Sequence, residues 1–232
     1  MILGFDTATP ETTVAVVHGD EVLFEDAAGP GPDGRPVAGR ALLGMVDEAA
    51  AAAGGWDRIA TMAVGRGPGS FTGLRIAIST ARAISQARRI PVAGVDSTAA
   101  LAAGLRERAG EGRPVVGIVD ARRGEVFAAA DLGSGAGEPV VCAPGDHADA
   151  LGEGLGGAVA GGDGAVRFRT EIEAIGCEIP ADEDPANRLS ARQICLLAAK
   201  MEPGGAHFPA GVTPKYMRRP DAERWLERND GS

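Results

Sequence analysis

The sequence predicts a mixed α/β fold in which two related halves follow one another along the chain. Strand-like and helix-like segments alternate in the order β-β-β-α-β-α-β-α, which indicates helices layered on sheets. An apolar strand that ends at Asp6, followed by a turn and a returning strand, has a counterpart ending at Asp120, roughly 115 residues later. Chance similarity of two hairpins is the alternative explanation of this repeat.

The composition is that of a globular protein with an acidic surface. The chain has 232 residues, enough for one large domain or two small ones. Only 4% of the residues are aromatic, so the core must be built from Val, Ile, Leu and Ala. The net charge of −9 disfavours wrapping around nucleic acid, because phosphate binding needs an excess of Lys and Arg.

The cysteines and the N-terminus favour a cytoplasmic protein. Cys142, Cys177 and Cys195 are odd in number and far apart, which is not the pattern of a disulfide framework. The first residues run directly into an apolar strand without a basic segment or a long apolar stretch. We therefore expect no signal peptide, no transmembrane helix and no membrane partner.

In the first half, hydrophobic periodicity and turn residues delimit the elements. We expect strands at 2–6, 13–17, 21–25, 59–64 and 91–95 and helices at 37–53, 72–87 and 97–108. Asp96 or Ser97 is a suitable N-cap for the third helix.

In the second half the pattern begins again after a break at 110–113. We expect strands at 115–120, 125–131, 138–141 and near 159–161, an irregular helix at 146–155, an amphipathic helix at 190–200 with Ser190 as its N-cap, and a short helix in the tail at 221–232. The predicted division is one subdomain of 1–109 and 187–232 and a second of 110–186.

A glycine-rich loop joins the strand at 59–64 to the second helix. Its residues are Gly65, Gly67, Pro68, Gly69, Ser70, Phe71, Thr72 and Gly73. Glycine and proline together specify a defined backbone path. The loop is either a tight strand-to-helix turn, or a phosphate cradle or partner-docking corner at a helix N-terminus.

Known catalytic and phosphate-binding motifs do not fit this loop. A Walker A loop needs a lysine, whereas this chain has Leu74 and Arg75 after the last glycine. The glycine spacing differs from that of a dinucleotide loop, and Pro68 and Thr72 replace the glycines of a nucleophile elbow. Nucleophilic catalysis by Ser70 would need a base that the nearby sequence lacks.

The histidines do not form a metal-binding pattern. His18, His147 and His207 lie in different segments, and none has a second histidine four residues on. We expect them to be surface or loop residues and expect no metal site.

Four segments resemble the bacterial TsaB family, also called YeaZ. They are 2–9 (ILGFDTAT), 65–75 (GRGPGSFTGLR), 119–126 (VDARRGEV) and 214–218 (PKYMR). The resemblance spans nearly the whole chain in the same order. It implies an actin-like (ASKHA, Hsp70/actin-type) duplicated fold of two subdomains. Many family members carry a histidine before the first helix, whereas this chain has Arg35 to Arg40 without one.

The resemblance also implies a function. TsaB proteins are similar to the acyltransferase TsaD but act as its non-catalytic partner, with TsaE, in transferring threonylcarbamoyl from TsaC-made threonylcarbamoyl-AMP to adenosine 37 of ANN-decoding tRNAs. The paired histidines that hold the TsaD metal have no counterpart here. The partners implied are a TsaD homologue, a TsaE homologue and a second copy of the chain, with tRNA contacted through the complex. The alternative is an enzyme, either a metal-dependent peptidase-like hydrolase or an actin-type ATPase.

In the family, the first two helices pair with their equivalents in another subunit to form a four-helix interface. The resemblance therefore implies that a partner contacts Leu42, Met45, Val46, Leu74, Arg75, Ala77, Ile78, Ala81 and Arg82. The alternative is that these helices pack only on their own sheet.

The resemblance further implies a degenerate nucleotide cleft. Asp6 and Asp120 occupy positions where actin-like ATPases hold Mg-phosphate, but side-chain-bearing residues follow both, so Asp6 is interpreted as a turn former. The other candidates for a nucleotide contact are Gly162 and Gly164, where the fold has its adenosine loop. No firmly bound cofactor is expected, and ATP or ADP would be held at the interface of the complex.

Overall fold

The computed structural model describes residues 1–152, 154–201, 206–207 and 211–217. The described chain forms two β-sheets with helices packed on them. The strands are β1 (Ile2–Asp6), β2 (Thr12–His18), β3 (Glu21–Ala28), β4 (Thr61–Gly65), β5 (Val92–Val95), β6 (Val115–Arg122), β7 (Glu125–Asp131), β8 (Val140–Cys142), β9 (Val159–Gly161) and β10 (Ala206–His207). The helices are α1 (Ala38–Ala52), α2 (Phe71–Arg88), α3 (Ser97–Ala109), α4 (His147–Leu151), α5 (Asp163–Arg167), α6 (Arg169–Ala174) and α7 (Ala191–Ala199).

The first sheet has the strand order β10-β5-β4-β1-β2-β3. Its central strand β1 is antiparallel to β2 and parallel to β4. Because helices cover both faces, β1 reads as a nearly continuous buried apolar run. Leu3 and Phe5 face α1 and α2, whereas Gly4 faces α7, where an added Cβ would lie 2.5 Å from Cys195 Sγ.

The second sheet repeats the central arrangement of the first. Its order is β8-β7-β6-β9, with β6 antiparallel to β7 and parallel to β9, and β7 antiparallel to β8. These are the pairings that relate β4, β1, β2 and β3 in the first sheet. The predicted internal repeat is therefore confirmed, since two chance hairpins would not also share the flanking strands.

Helix α3 lies between the two sheets. Its buried side chains, among them Leu101 and Leu105, form a core with Val115, Val119 and Phe127 of the second sheet, and the helix also packs against α7. Gly117 allows this close approach, because a Cβ there would lie 2.6 Å from the Thr98 carbonyl oxygen.

The predicted element boundaries hold within one or two residues for most elements. Helices α5 and α6 were not predicted, because each is short and follows a glycine or charged segment without clear periodicity. Neither helix has the expected side-chain N-cap. Before α3, the Asp96 carboxylate accepts hydrogen bonds from Arg66 and Lys215 instead of from the helix backbone. Before α7, the Ser190 hydroxyl donates to Glu25. The predicted tail helix at 221–232 lies outside the described residues.

Among residues 1–152, 154–201, 206–207 and 211–217, no helix combines the length and the apolar sequence needed to cross a bilayer.

Candidate functional site

The glycine-rich loop packs directly against the turn that follows β1. The Ser70 amide donates to the Ala8 carbonyl at 2.7 Å, and the Thr7 hydroxyl donates to the Gly73 carbonyl at 2.7 Å. A Cβ at Gly73 would lie 1.9 Å from the Thr7 carbonyl oxygen, and one at Gly69 would lie 2.5 Å from that of Ala8. The loop glycines therefore serve close contact between two backbone segments of the same chain.

Asp6 fills the space between this loop and the turn. Its side chain accepts hydrogen bonds from the Ala8 amide and the Ser97 hydroxyl, both at 2.5 Å, and the residue is 1% exposed. A Cβ at Gly65 would lie only 1.6 Å from Asp6 Oδ2. Burial raises the pKa of Asp6 to about 6, even though its hydrogen-bond donors lower it. Asp6 is thus a turn former held inside the protein.

The rest of the loop connects β4 to α2. Gly67 has a φ of 99° and is followed by a cis bond to the buried Pro68. The Ser70 hydroxyl accepts from the Gly73 amide at 3.2 Å and so caps α2, while Phe71 and Thr72 are exposed on its first turn. Ser70 therefore acts as a helix cap, which offers no support for the hydrolase alternative.

The corresponding turn in the second sheet is built differently. Asp120 Oδ2 pairs with Arg122 at 3.1 Å and with Arg167 at 2.9 Å, and Asp120 Oδ1 accepts from the Arg122 amide. The neighbouring Asp163 accepts from the Asp120 amide at 3.1 Å. Burial, together with the charge of Asp120, raises the pKa of Asp163 to about 6. The Asp120 carboxylate is thus paired with two guanidinium groups. An actin-type ATPase would direct the carboxylate at this position toward a metal ion.

Gly162 and Gly164 are also placed by packing. A Cβ at Gly162 would lie 2.1 Å from the Ile118 carbonyl oxygen, and one at Gly164 would lie 2.8 Å from the Val119 carbonyl carbon. Their absent side chains let α5 approach β6. Close packing alone accounts for both glycines, which leaves their predicted nucleotide contact a prediction.

A cleft lies between the turn that follows β1 and the start of α5. It has a volume of about 140 Å³ and is lined by Thr9, Pro10, Glu11, Pro30, Leu101, Gly162, Asp163, Asn187, Arg188 and Leu189. Ligand pockets commonly measure about 300–1,000 Å³, so the volume of this cleft is below the usual range. A larger cavity of about 340 Å³ beside Ala148, Leu155, Ile175 and Cys177 lies away from both Asp-ended turns.

Comparison with known proteins decides the family. The model of the family described as TsaD, tRNA N6-adenosine threonylcarbamoyltransferase, matches residues 39–180. The chain is 33% identical over 244 residues to an uncharacterised protein of Mycobacterium tuberculosis (strain H37Rv), covering 96% of this chain and 93% of the relative. It is 34% identical over 127 residues to the tRNA threonylcarbamoyladenosine biosynthesis protein TsaB of Escherichia coli (strain K12), covering 54% and 52%.

The chain belongs to the TsaB (YeaZ) family. A solved structure of YeaZ from Pseudomonas aeruginosa superimposes with a TM-score of 0.74 at 24% identity, covering 93% of this chain and 99% of that one. A second solved structure, described as similar to peptidase YEAZ and also from that organism, gives a TM-score of 0.75 at 25% identity. The predicted actin-like α/β fold is thereby confirmed.

Most of the residues expected to contact a partner are buried in the core of this TsaB-family chain. Leu42, Met45, Val46, Leu74, Ala77, Ile78 and Ala81 are 0–6% exposed, because the apolar stripes of α1 and α2 face the first sheet. Arg75 is exposed, and Arg82 is half-buried. The expectation that the seven apolar residues form an interface is therefore corrected: they pack on their own sheet. The interface itself stays a prediction, for which the exposed faces of the helices are available.

An aromatic cluster marks the start of α2. The Phe71 and Tyr216 rings lie 5.1 Å apart, and the Arg75 guanidinium lies 3.9 Å above the Phe71 ring. Arg75 Nε also donates to the Tyr216 hydroxyl at 3.2 Å. The cluster was not predicted from the sequence because Tyr216 is 141 positions from Arg75. The one available signal was Phe71, an aromatic residue one helical turn before Arg75.

One histidine contradicts the expectation of a surface or loop position. His147 is fully buried, with Nδ1 2.7 Å from the Pro144 carbonyl oxygen and Nε2 3.6 Å from Cys177 Sγ. Because a carbonyl oxygen only accepts, Nδ1 carries the proton. His147 is therefore a hydrogen-bonded core residue. His18 is exposed as expected, and the side chain of His207 lies outside the described set.

Proposed function

We propose that the chain is a non-catalytic scaffold subunit that pairs with a TsaD homologue, and acts with a TsaE homologue, in threonylcarbamoyl transfer to adenosine 37 of ANN-decoding tRNAs. Family membership supports the pathway, because relatives in Escherichia coli, Haemophilus influenzae and Bacillus subtilis are named tRNA threonylcarbamoyladenosine biosynthesis protein TsaB. Contact with tRNA would occur through the complex.

The observation that best supports a non-catalytic role is that protein atoms fill the space beside the glycine-rich loop. Asp6 lies against Gly65, and the Thr7–Ala8 backbone lies against Gly69 and Gly73. A phosphate group would need both the volume and the amide donors that these contacts use. The loop therefore supports a structural role better than nucleotide turnover.

The second half supports the same proposal. The carboxylate of Asp120 is neutralised by Arg122 and Arg167. In the part of the chain that the structure describes, no three His, Cys, Asp or Glu side chains form a group that could hold a metal ion. These arrangements do not resemble the clustered ligands of a metal-dependent hydrolase.

The outer surfaces of α1 and α2 supply a docking face, which we call the α1–α2 face. We define it by the exposed small or apolar residues of these helices, which are interspersed with exposed charged residues such as Asp47 and Arg75: Gly39, Leu43, Gly44, Ala51, Phe71, Ala83 and Ala87. Leu43 is 66% exposed. Small residues let partner helices approach closely, and an exposed apolar side chain gains from being covered. A second copy of the chain and a TsaD homologue would use the same face, with ATP or ADP held where the complex closes.

Reconstitution tests this proposal. The chain is combined with the TsaC, TsaD and TsaE homologues, threonine, bicarbonate, Mg-ATP and unmodified tRNA, and threonylcarbamoyladenosine is measured by mass spectrometry of nucleosides. We expect product only when the chain is present, and none from the chain alone with tRNA. An equal product yield without the chain would contradict the proposal, and product from the chain alone would show that it is an enzyme.

A further inference from the structure

Segment 211–217 is anchored first in the core of the first sheet. Val212 is 4% exposed and packs in the cluster that contains Leu3, Phe5 and Ile78. Its carbonyl accepts from Arg82 Nη2 at 2.6 Å. Three residues on, the Lys215 amide donates to the Arg66 carbonyl at 2.7 Å. The start of the segment thus has apolar and hydrogen-bonded contacts to β4, β5 and α2.

The same segment then reaches the second sheet. Lys215 Nζ donates to Asp96 Oδ2 at 2.8 Å and to Glu138 Oε2 at 2.5 Å. Asp96 follows β5 of the first sheet, whereas Glu138 lies between β7 and β8 of the second. Two residues later, Met217 packs against the core formed by α3 and the second sheet. Seven residues therefore join both sheets.

The two contacts of Lys215 differ in strength. The side chains of Lys215 and Asp96 are only 20% and 17% exposed, and Asp96 also pairs with Arg66 at 2.6 Å. Removing one partner of such a shielded pair leaves a charge poorly solvated. Glu138 is 86% exposed, and an ion pair there contributes little. Asp96 is thus the firm attachment of Lys215, and Glu138 is the weaker one.

We propose that segment 211–217 is an intramolecular strap that fixes the two sheets relative to each other. Val212 and the Lys215–Asp96 pair attach it to the first sheet, and Met217 together with the weaker Lys215–Glu138 pair attaches it to the second. The width of the cleft between the turn after β1 and the start of α5 is then set by the chain itself and not by a bound ligand. The inference concerns the isolated chain and does not depend on the proposed partner.

Distances between spin labels on the two halves test the strap. Labels are attached to Asp57→Cys and Glu171→Cys, both at exposed positions, in a chain in which the half-buried Cys142 is replaced by Ser. Labelled protein is diluted with unlabelled protein to exclude distances between copies. The variant Lys215→Met removes the ammonium and keeps the side-chain length, and Lys215→Arg keeps the charge as the matched control.

We expect a single narrow distance distribution for the parent chain, unchanged by Mg-ATP. Lys215→Met is expected to broaden it and shift it to longer distances, whereas Lys215→Arg retains the narrow distribution. Identical distributions for the parent and Lys215→Met would overturn the proposal, as would narrowing of the parent distribution by Mg-ATP. If Lys215→Met does not fold, Met217→Ala decides, because Met217 packs on the core of the second sheet: a broader distribution supports the strap, and no change overturns it.

Discussion

The carboxylate of Asp6 lies against the α-carbon of Gly65, so closely that a methyl group there would stand 1.6 Å from Asp6 Oδ2. The two residues end neighbouring parallel strands, β1 and β4. An alanine at position 65 would have to displace the buried Asp6 side chain, which also accepts hydrogen bonds from the Ser97 hydroxyl and the Ala8 amide. The contact therefore links the glycine-rich loop to the first turn of the chain.

Gly65→Ala is expected to destabilise the folded chain by about 3 kcal/mol or more, because overpacking and loss of the Asp6 hydrogen bonds act together. The free energy of unfolding is measured by urea denaturation. Gly44→Ala is the control: Gly44 is exposed within α1 with nothing within 4 Å of the added Cβ, so this change should leave stability equal or up to about 1 kcal/mol higher. Equal stabilities for the two variants would contradict the Asp6–Gly65 packing.

The pH dependence of stability should reflect Asp6. Burial raises its pKa from 3.8 to about 6 in the folded state, so between these pH values the folded chain keeps a proton that the unfolded chain has lost. Stability must then fall as the pH rises from about 4 to 6, by about 3 kcal/mol from this residue.

Asp6→Asn removes the titrating group, so its free energy of unfolding should fall less than that of the parent chain between pH 4.5 and pH 7, as measured by urea denaturation. The pKa of Asp163 is raised in the same direction, so part of the fall remains in Asp6→Asn. An unchanged pH dependence would show that Asp6 ionises as it does in the unfolded chain.

Arg167→Met should destabilise the chain by about 1–3 kcal/mol, because the Asp120 side chain is only 4% exposed and loses one of two guanidinium partners. Arg35→Met is the control, since Arg35 is 85% exposed and lies 3.8 Å from Asp33, and its loss should cost under about 0.5 kcal/mol. Thermal and urea denaturation compare the two. Similar losses would mean that Asp120 is adequately solvated without Arg167.

Leu43→Asp should weaken association through the α1–α2 face without lowering stability, because the side chain is exposed and a charge there would be buried by a partner. Sedimentation velocity of the chain alone and with a TsaD homologue measures this. Leu132→Asp is the matched control, being 61% exposed beside the second sheet. Equal association of both variants would place the interface elsewhere.

Local pattern was enough to predict most of the fold. Apolar runs and the turn residues after Asp6 and Asp120 located both hairpins, and helical periodicity located α1, α2, α3 and α7 within one or two residues. The same periodicity led to a wrong prediction of the interface residues, because it selected residues that are buried in the core. A stripe such as Leu42, Met45 and Val46 identifies the face of a helix that becomes buried, but not whether its own sheet or a partner covers it.

Contacts between distant segments could not be predicted from pattern. Asp96 looked like a helix cap because it precedes α3, yet its carboxylate binds Arg66 and Lys215, which only the folded chain brings together. His147 looked like a loop residue for a similar reason, since its partner Cys177 lies 30 positions away. Residues of this kind are positioned by tertiary structure alone.

The placement of α7 has a consequence for synthesis of the protein. Cys195 and Ala191 of α7 cover the face of β1 and β2 that carries Gly4, Ala15 and Val17, although the whole second sheet lies between these segments in sequence. A nascent chain that has not yet reached residue 191 therefore exposes an apolar sheet face to water. Fragments ending before α7 should aggregate, and on the ribosome the first sheet can be completed only after the second has emerged.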